Sequence, residues 1–199
     1  LAQVACAAFD DIETAGAAAG AIIGEGIIPA GLEMMDQPAT RAGEEFVHAG
    51  YPLDAAAVLL VESDGTPEEV DDEMGEIRRV LTASGATSIR VSRDERERLL
   101  LWSGRKAAFP AVGRVSPDYY CMDGTIPRKR LADMLKAIAA MEKKYGLRCA
   151  NVFHAGDGNL HPLILFDAND PDQLHRCELF GADILETSVA MGGTVTGEH

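Results

Sequence analysis

The 199-residue sequence is poor in basic residues and lacks long apolar runs and closely spaced cysteines. Its 18 Lys and Arg residues against 32 Asp and Glu residues give a net charge of −14, and no basic block exceeds Arg128-Lys129-Arg130. This balance disfavours nucleic acid and anionic membrane surfaces as partners. No apolar run approaches the roughly 20 residues that span a bilayer, so we expect no transmembrane segment.

The four cysteines are Cys6, Cys121, Cys149 and Cys177, which lie in apolar segments without a CxxC pair. Such thiols are more often buried and reduced than disulfide-bonded, which favours a cytoplasmic protein. The start of the chain also lacks the basic and long apolar regions of a signal peptide. A peripheral position at the inner face of the membrane is the alternative location.

Both ends of the chain indicate a piece of a larger protein. The sequence opens on Leu1 inside an apolar run, and it closes on Glu198-His199, two residue types suited to a functional site. The apolar content of 47% predicts a substantial core. We therefore expect residues 1–199 to form one domain excised from a longer chain.

Short apolar runs alternate with amphipathic helices and predict an α+β fold. Residues 1–92 follow the order β-α-β-β-α-β of a ferredoxin-like, split βαβ unit, and residues 117–199 repeat it after a connecting helix over about 93–108. We expect antiparallel sheets with the helices packed on one face. The predicted strands are Ala5–Phe9, Gly31–Met35, Ala56–Glu62, Ser88–Val91, Tyr119–Met122, Arg148–His154, His161–Phe166 and Thr194–Thr196.

Two histidines, His154 and His161, flank a turn of Gly, Asp, Gly and Asn. These turn residues tolerate tight reversal, so the apolar runs on either side predict a hairpin that brings the imidazoles together. Glu198 and His199 follow a later strand-like run. His, His and Glu form a ligand set for a divalent metal such as zinc or manganese and leave one position open for substrate. Spacing alone leaves open whether Glu198 lies near the two histidines. His154 and His161 could instead only stabilise the turn between them.

Five segments carry further motifs in a fixed order: Pro29–Asp36, Leu101–Pro110, Pro117–Pro127, His154–Pro162 and Gly192–His199. In these segments the chain resembles the C-terminal domain of FAD-linked oxidases of the vanillyl-alcohol-oxidase type. Within this family the chain resembles in particular the FAD-binding subunit of glycolate oxidase and the D-lactate and D-2-hydroxyglutarate dehydrogenases. It implies an additional N-terminal domain that binds FAD, with the present domain covering the flavin and forming the substrate pocket.

The resemblance also implies roles for single residues. By motif position His154, His161 and Glu198 fall on the metal ligands, His199 on the base, and Arg105 on the guanidinium that grips the substrate carboxylate. The implied activity is oxidation of a 2-hydroxy acid by hydride transfer to FAD. Because we find no dinucleotide-binding pattern in these 199 residues, we expect the chain alone to be inactive.

Two positions depart from the pattern of the 2-hydroxyglutarate-type relatives. Cys121 stands where they carry a lysine for the second carboxylate, and Leu163 stands where they carry an asparagine near the metal. These departures favour a small monocarboxylic acid of the glycolate or D-lactate type. The expected partners are that acid, the protein's own FAD domain and other oxidase subunits.

Other interpretations of the same residues stay open from the sequence. The chain could be a stand-alone ferredoxin-like module that binds a small ligand or metal, or an assembly module. Arg105 could be solvated on a polar helix face, and Cys121 is expected to serve packing. A phosphate site at Gly156-Asp157-Gly158 is disfavoured, because no helix follows closely.

Overall fold

Every strand of the computed structural model, which describes residues 1–197, belongs to one antiparallel sheet. Within that range the nine strands are β1 Ala2–Phe9, β2 Gly31–Asp36, β3 Ala57–Asp64, β4 Ser88–Val91, β5 Asp118–Cys121, β6 Gly124–Thr125, β7 Cys149–His154, β8 Asn159–Phe166 and β9 Thr194–Val195. Their order across the sheet is β4-β1-β3-β2-β7-β8-β6-β9, and β5 pairs with another stretch of β8.

Helices connect the strands, and aspartate side chains begin four of them. Each of these aspartates accepts a hydrogen bond from a backbone N–H of the first turn. None of the described helices combines the length and apolar character needed to cross a bilayer. The helices within residues 1–197 are α1 Ile12–Gly24, α2 Gln37–Val47, α3 Pro67–Ala83, α4 Glu95–Lys106, α5 Ala108–Val112, α6 Leu131–Tyr145 and α7 Pro171–Ala190.

The sheet consists of two ferredoxin-like halves, as the element order predicts. The first half has the strand order β4-β1-β3-β2, and the second half mirrors it as β7-β8-β6-β9. In each half two long helices connect the strands, α1 and α3 in the first and α6 and α7 in the second. The predicted α+β class is confirmed.

The two halves form one continuous sheet because β2 pairs with β7 at their shared edge. This junction has only two registered pairs, Met34 with Phe153 and Met35 with Val152. The buried Asp36 reinforces it, since its Oδ2 accepts hydrogen bonds from the backbone N–H and from Nδ2 of Asn151, both at 2.8 Å.

Helices cover both faces of this sheet. The four long helices α1, α3, α6 and α7 pack on one face, as expected. The expectation of a single helical face is wrong for α2, α4 and α5, which pack on the other face around Met35, Val58 and Leu101. The central strands explain the difference: successive residues of β1 and β3 are buried, so both faces of these strands require cover.

The strand predicted over Tyr119–Met122 is interrupted where it lies opposite Pro162 of β8, and it continues as the short strand β6. Both β5 and β6 pair with β8. The Met122 N–H donates to the Pro162 carbonyl at 3.1 Å, but proline has no N–H to donate in return. The ladder therefore breaks at Met122 and Asp123, and Asp123 lies beside the predicted site.

Candidate functional site

A row of polar side chains crosses the junction between the halves. The β2–β7 pairing, continued by one position, brings Glu33 opposite His154. Val152 pairs with His161 across β7 and β8, and residues two apart on a strand share a face, so both imidazoles lie on the same side. The β6–β8 pairing, continued by one position, brings Asp123 opposite His161. This is the face that carries α2, α4 and α5.

Glu33 contacts two of the predicted site residues. Its Oε1 lies 2.7 Å from Nδ1 of His154. Its Oε2 lies 2.8 Å from both Nε and Nη2 of Arg105. Because a carboxylate only accepts hydrogen bonds, this arrangement assigns the proton to Nδ1 of His154.

Asp123 holds His161 in the same way. Its Oδ1 lies 2.8 Å from Nδ1 of His161, and the two side chains are 5% and 1% exposed. The rings of His154 and His161 are 4.9 Å apart between centroids and nearly perpendicular, at 87°. Phe109 of α5 presents its ring to His161 at 5.8 Å. The two histidines predicted as ligands therefore lie side by side, each with a carboxylate at Nδ1.

Cys121 extends this row by one hydrogen bond, from its Sγ to Oδ1 of Asp123 at 3.3 Å. Possible ligand atoms of Cys121, Asp123 and His161 lie within 4.8 Å of one another, close enough to share an ion. Burial, together with the charge of Asp123, raises the pKa of the Cys121 thiol well above its ordinary value. In this arrangement the Cys121 thiol donates a hydrogen bond to Asp123.

The turn between the histidines is fixed by close backbone contacts. Gly158 has φ 74°, and a Cβ there would lie 2.2 Å from the Ile126 carbonyl oxygen. The Gly156 N–H donates to the Leu32 carbonyl at 3.0 Å. The hairpin tip is thus attached to both halves of the sheet, which holds His154 in place.

Arg105 is buried near the end of α4, only 8% exposed, rather than solvated on a polar helix face. The preceding residue, Gly104, permits a close approach of the helix, since a Cβ there would lie 2.2 Å from the Tyr51 hydroxyl. That hydroxyl also donates to the Leu101 carbonyl. These contacts bring the guanidinium within reach of Glu33 on β2.

These residues are suited to part of a divalent metal site. Histidines that bind metals usually donate one ring N–H to a carboxylate or carbonyl, which fixes the tautomer and presents the other nitrogen to the ion. Both His154 and His161 meet this condition through Nδ1. The predicted third ligand, Glu198, and the predicted base, His199, lie outside the described residues.

A cleft of about 210 Å³ opens beside His154, with Glu33, Arg128 and Asp157 in its lining. Its volume is below the roughly 300–1,000 Å³ of pockets for drug-sized ligands, which suits a small polar molecule. Arg105 and His161 lie outside this lining, as far as the described residues show.

The sequence and its family resemblance predict His154, His161 and Arg105 as site residues, but they do not predict the two carboxylates that contact these residues in the structure. Glu33 is an acidic residue between the apolar residues Leu32 and Met34 of β2, and Asp123 precedes the short strand β6. An acid in such a strand is a signal for a buried partner. The identity of that partner depends on strand register, which the sequence does not contain.

The chain matches the family described as FAD linked oxidases, C-terminal domain, over residues 2–199. The glycolate oxidase subunit GlcD of Escherichia coli strain K12 is 56% identical over 199 residues, covering 100% of this chain and 40% of that protein. A probable mitochondrial D-lactate dehydrogenase of Danio rerio is 27% identical over 202 residues, covering 98% of this chain and 39% of that protein. The chain therefore spans about two fifths of the length of these relatives.

A solved structure with the same fold is 4-ethylphenol oxidase from Gulosibacter chungangensis in complex with isoeugenol. The match has a TM-score of 0.72 and covers 98% of this chain and 45% of the oxidase chain. Since the sequence identity is only 13%, this likeness establishes the fold alone.

Proposed function

The chain belongs to the C-terminal domain family of the FAD-linked oxidases, and we propose on that premise that it is the substrate-binding cap domain of a flavin-dependent 2-hydroxy-acid oxidoreductase. The E. coli glycolate oxidase subunit supports a substrate of the glycolate type, and the D-lactate dehydrogenase supports D-lactate as the alternative. The observation that carries the proposal is the connected row Arg105, Glu33, His154 and His161, which joins a buried guanidinium to two imidazoles held by carboxylates.

Arg105 is the proposed anchor of the substrate carboxylate. Its Nε and Nη2 face Glu33, and within residues 1–197 its Nη1 forms no hydrogen bond. A substrate carboxylate would therefore meet the Nη1 end of the guanidinium, not the edge that Glu33 occupies. Anchoring one end of a small acid restricts where its α-carbon can lie, which lowers the entropic cost of the reaction.

His154 and His161 are the residues that would hold a divalent cation, zinc or manganese, with Glu198 as the expected third ligand. When bound, the cation lowers the pKa of the substrate hydroxyl as a Lewis acid, and FAD provides the hydride acceptor. His199 is the proposed base that takes the hydroxyl proton. An imidazole suits this role because its unperturbed pKa lies close to neutral pH.

The proposed substrate is monocarboxylic. Neither Cys121, whose thiol stays neutral, nor the buried Leu163 offers a charge to a second carboxylate. Arg128 lines the cleft beside His154 and is the described cationic side chain best placed to bind a second carboxylate. A dicarboxylic acid such as D-2-hydroxyglutarate is therefore the necessary comparison in an assay.

The relatives contain a further three fifths of sequence that this chain does not match, which is enough for a separate FAD-binding domain. We propose that domain as the main partner of this chain, with other oxidase subunits as further partners. We also propose a cytoplasmic location, with a peripheral position at the inner face of the membrane as the alternative. The four free cysteines support it, because reducing compartments favour free thiols.

Steady-state oxidation assays on the full-length, FAD-loaded protein test the proposal. We expect glycolate or D-lactate to give the highest kcat/KM, and we expect treatment with a chelator to lower activity that added zinc or manganese restores. Failure to oxidise any 2-hydroxy acid would contradict the proposed reaction. A higher kcat/KM for D-2-hydroxyglutarate would contradict the monocarboxylic preference alone.

A further inference from the structure

We propose that Glu33 is a positioning residue that orients both His154, on the metal side of the site, and Arg105, on the substrate side. This inference rests on the proposed function. It deepens that function by linking metal binding and substrate binding through one carboxylate.

The two oxygens of Glu33 have separate partners. Oε1 faces Nδ1 of His154 at 2.7 Å, and Oε2 faces Nε and Nη2 of Arg105 at 2.8 Å each. The Glu33 side chain is 15% exposed and that of Arg105 is 10% exposed, so water competes little for these contacts. Charge-assisted hydrogen bonds of this length are strong and directional.

Glu33 also connects three parts of the fold. It lies on β2 of the first half, His154 lies on β7 of the second half, and Arg105 lies on α4 between the halves. The strand pairing that aligns Glu33 with His154 has two registered pairs, so the side-chain contact adds a constraint where the backbone ladder is short. A shift of Glu33 would therefore move an imidazole and a guanidinium together.

Each contact has a distinct chemical consequence. Accepting the Nδ1 proton of His154 makes Nε2 the nitrogen suited to a metal, and loss of such a partner typically weakens metal binding by 10–100-fold. Glu33 occupies the Nε edge of Arg105, which leaves Nη1 for the substrate. The charge of Glu33 also balances the buried guanidinium, which would otherwise be costly to bury.

Asp123 provides a matched control. It holds the imidazole of His161 through Nδ1 at 2.8 Å, whereas Arg105 is held by Glu33. Removing the charge of Asp123 should therefore weaken metal binding with little direct effect on the substrate anchor. Removing the charge of Glu33 should affect both.

The test uses the full-length, FAD-loaded protein with Glu33→Gln, Asp123→Asn and His161→Ala. Calorimetry gives the Kd for Zn²⁺, and steady-state assays at saturating Zn²⁺ give the KM for glycolate. For Glu33→Gln we expect a Zn²⁺ Kd at least tenfold higher and a KM at least tenfold higher. For Asp123→Asn we expect a similar rise in Kd and a KM within threefold of wild type. If Glu33→Gln does not fold, Glu33→Asp is judged by the same two values.

A Glu33 variant that changes only one of the two values, or neither, overturns the inference. If His161→Ala leaves Zn²⁺ binding unchanged, the proposed metal site fails instead. Long-range ¹H–¹⁵N NMR of His154 then judges Glu33 separately: a proton on Nδ1 in the wild type that moves to Nε2 in Glu33→Gln supports the inference. The same tautomer in both proteins contradicts it.

Discussion

Replacing Asp36 by alanine should destabilise the junction on which the candidate site depends. Asp36 is 4% exposed and ends β2, three residues after Glu33. Its Oδ1 accepts a hydrogen bond from the Ala39 N–H at 3.1 Å and caps α2. Its Oδ2 accepts the two hydrogen bonds from Asn151 on β7. One carboxylate thus connects a helix start to the strand pair that joins the halves.

The magnitude follows from these contacts. Loss of the helix cap costs about 1 kcal/mol. Each buried donor of Asn151 left without its acceptor costs roughly 1–3 kcal/mol more. A cavity of about 550 Å³ borders both Asp36 and Asn151 and gives water access, which favours the lower end of this range. We therefore expect Asp36→Ala to lower the free energy of unfolding by about 3 kcal/mol.

Urea unfolding of the 199-residue chain, followed by far-UV circular dichroism, measures this loss. Asp94→Ala is the matched control, because Asp94 caps α4 at an exposed position with one hydrogen bond to the Glu97 N–H. Asp94→Ala should lower the free energy of unfolding by about 1 kcal/mol or less. Equal losses in the two variants would refute the reasoning, since Asp36 would then act only as a helix cap.

Three further predictions concern Asp36, Gly104 and Arg105. Burial raises the pKa of Asp36 from 3.8 to about 7. The contribution of Asp36 to the free energy of unfolding should therefore be complete below about pH 4 and decline as the pH rises through 7. Asp36→Asn should flatten this part of the pH–stability curve. Gly104→Ala should cost about 1–3 kcal/mol of stability and raise the KM for glycolate, because its Cβ would clash with a tyrosine hydroxyl. Gly75 lies on α3 with open space around it, so Gly75→Ala should instead raise the free energy of unfolding by up to about 1 kcal/mol. Similar thermal shifts in Gly104→Ala and Gly75→Ala would contradict the expected clash at Gly104. Arg105→Lys should raise the activation free energy calculated from kcat/KM by roughly 2–4 kcal/mol, because the guanidinium geometry is lost while the charge stays. Exposed Arg79→Lys should have no effect, and an unchanged kcat/KM for Arg105→Lys would remove Arg105 from the site.

Local sequence signals were sufficient for the elements that carry large apolar residues or clear turns. The His154–His161 hairpin follows from such signals, and the structure confirms it. Helix α2 was missed although Asp36 and Pro38 mark its start. Its buried residues are mainly small, such as Ala39 and Ala42, so its buried face lacks the large apolar side chains on which the prediction of a helix relies.

The contacts that complete the site could not be predicted from local patterns. Glu33 and His154 are 121 positions apart, and Asp123 and His161 are 38 apart. Both pairs depend on which strands become neighbours and in which register. The edge pairing of β2 with β7 in particular follows from the joining of two separately recognisable halves, and a local pattern carries no information about that joining.

Anaerobic reduction of the flavin by glycolate tests the central claim most directly. Stopped-flow mixing of the full-length, FAD-loaded protein with glycolate, in the absence of an electron acceptor, isolates hydride transfer from later steps. We expect the flavin absorbance to bleach in the wild type and to bleach at least about tenfold more slowly in a His154→Ala/His161→Ala variant that retains FAD. Equal rates in the two proteins, or no bleaching with glycolate or D-lactate, would contradict the account.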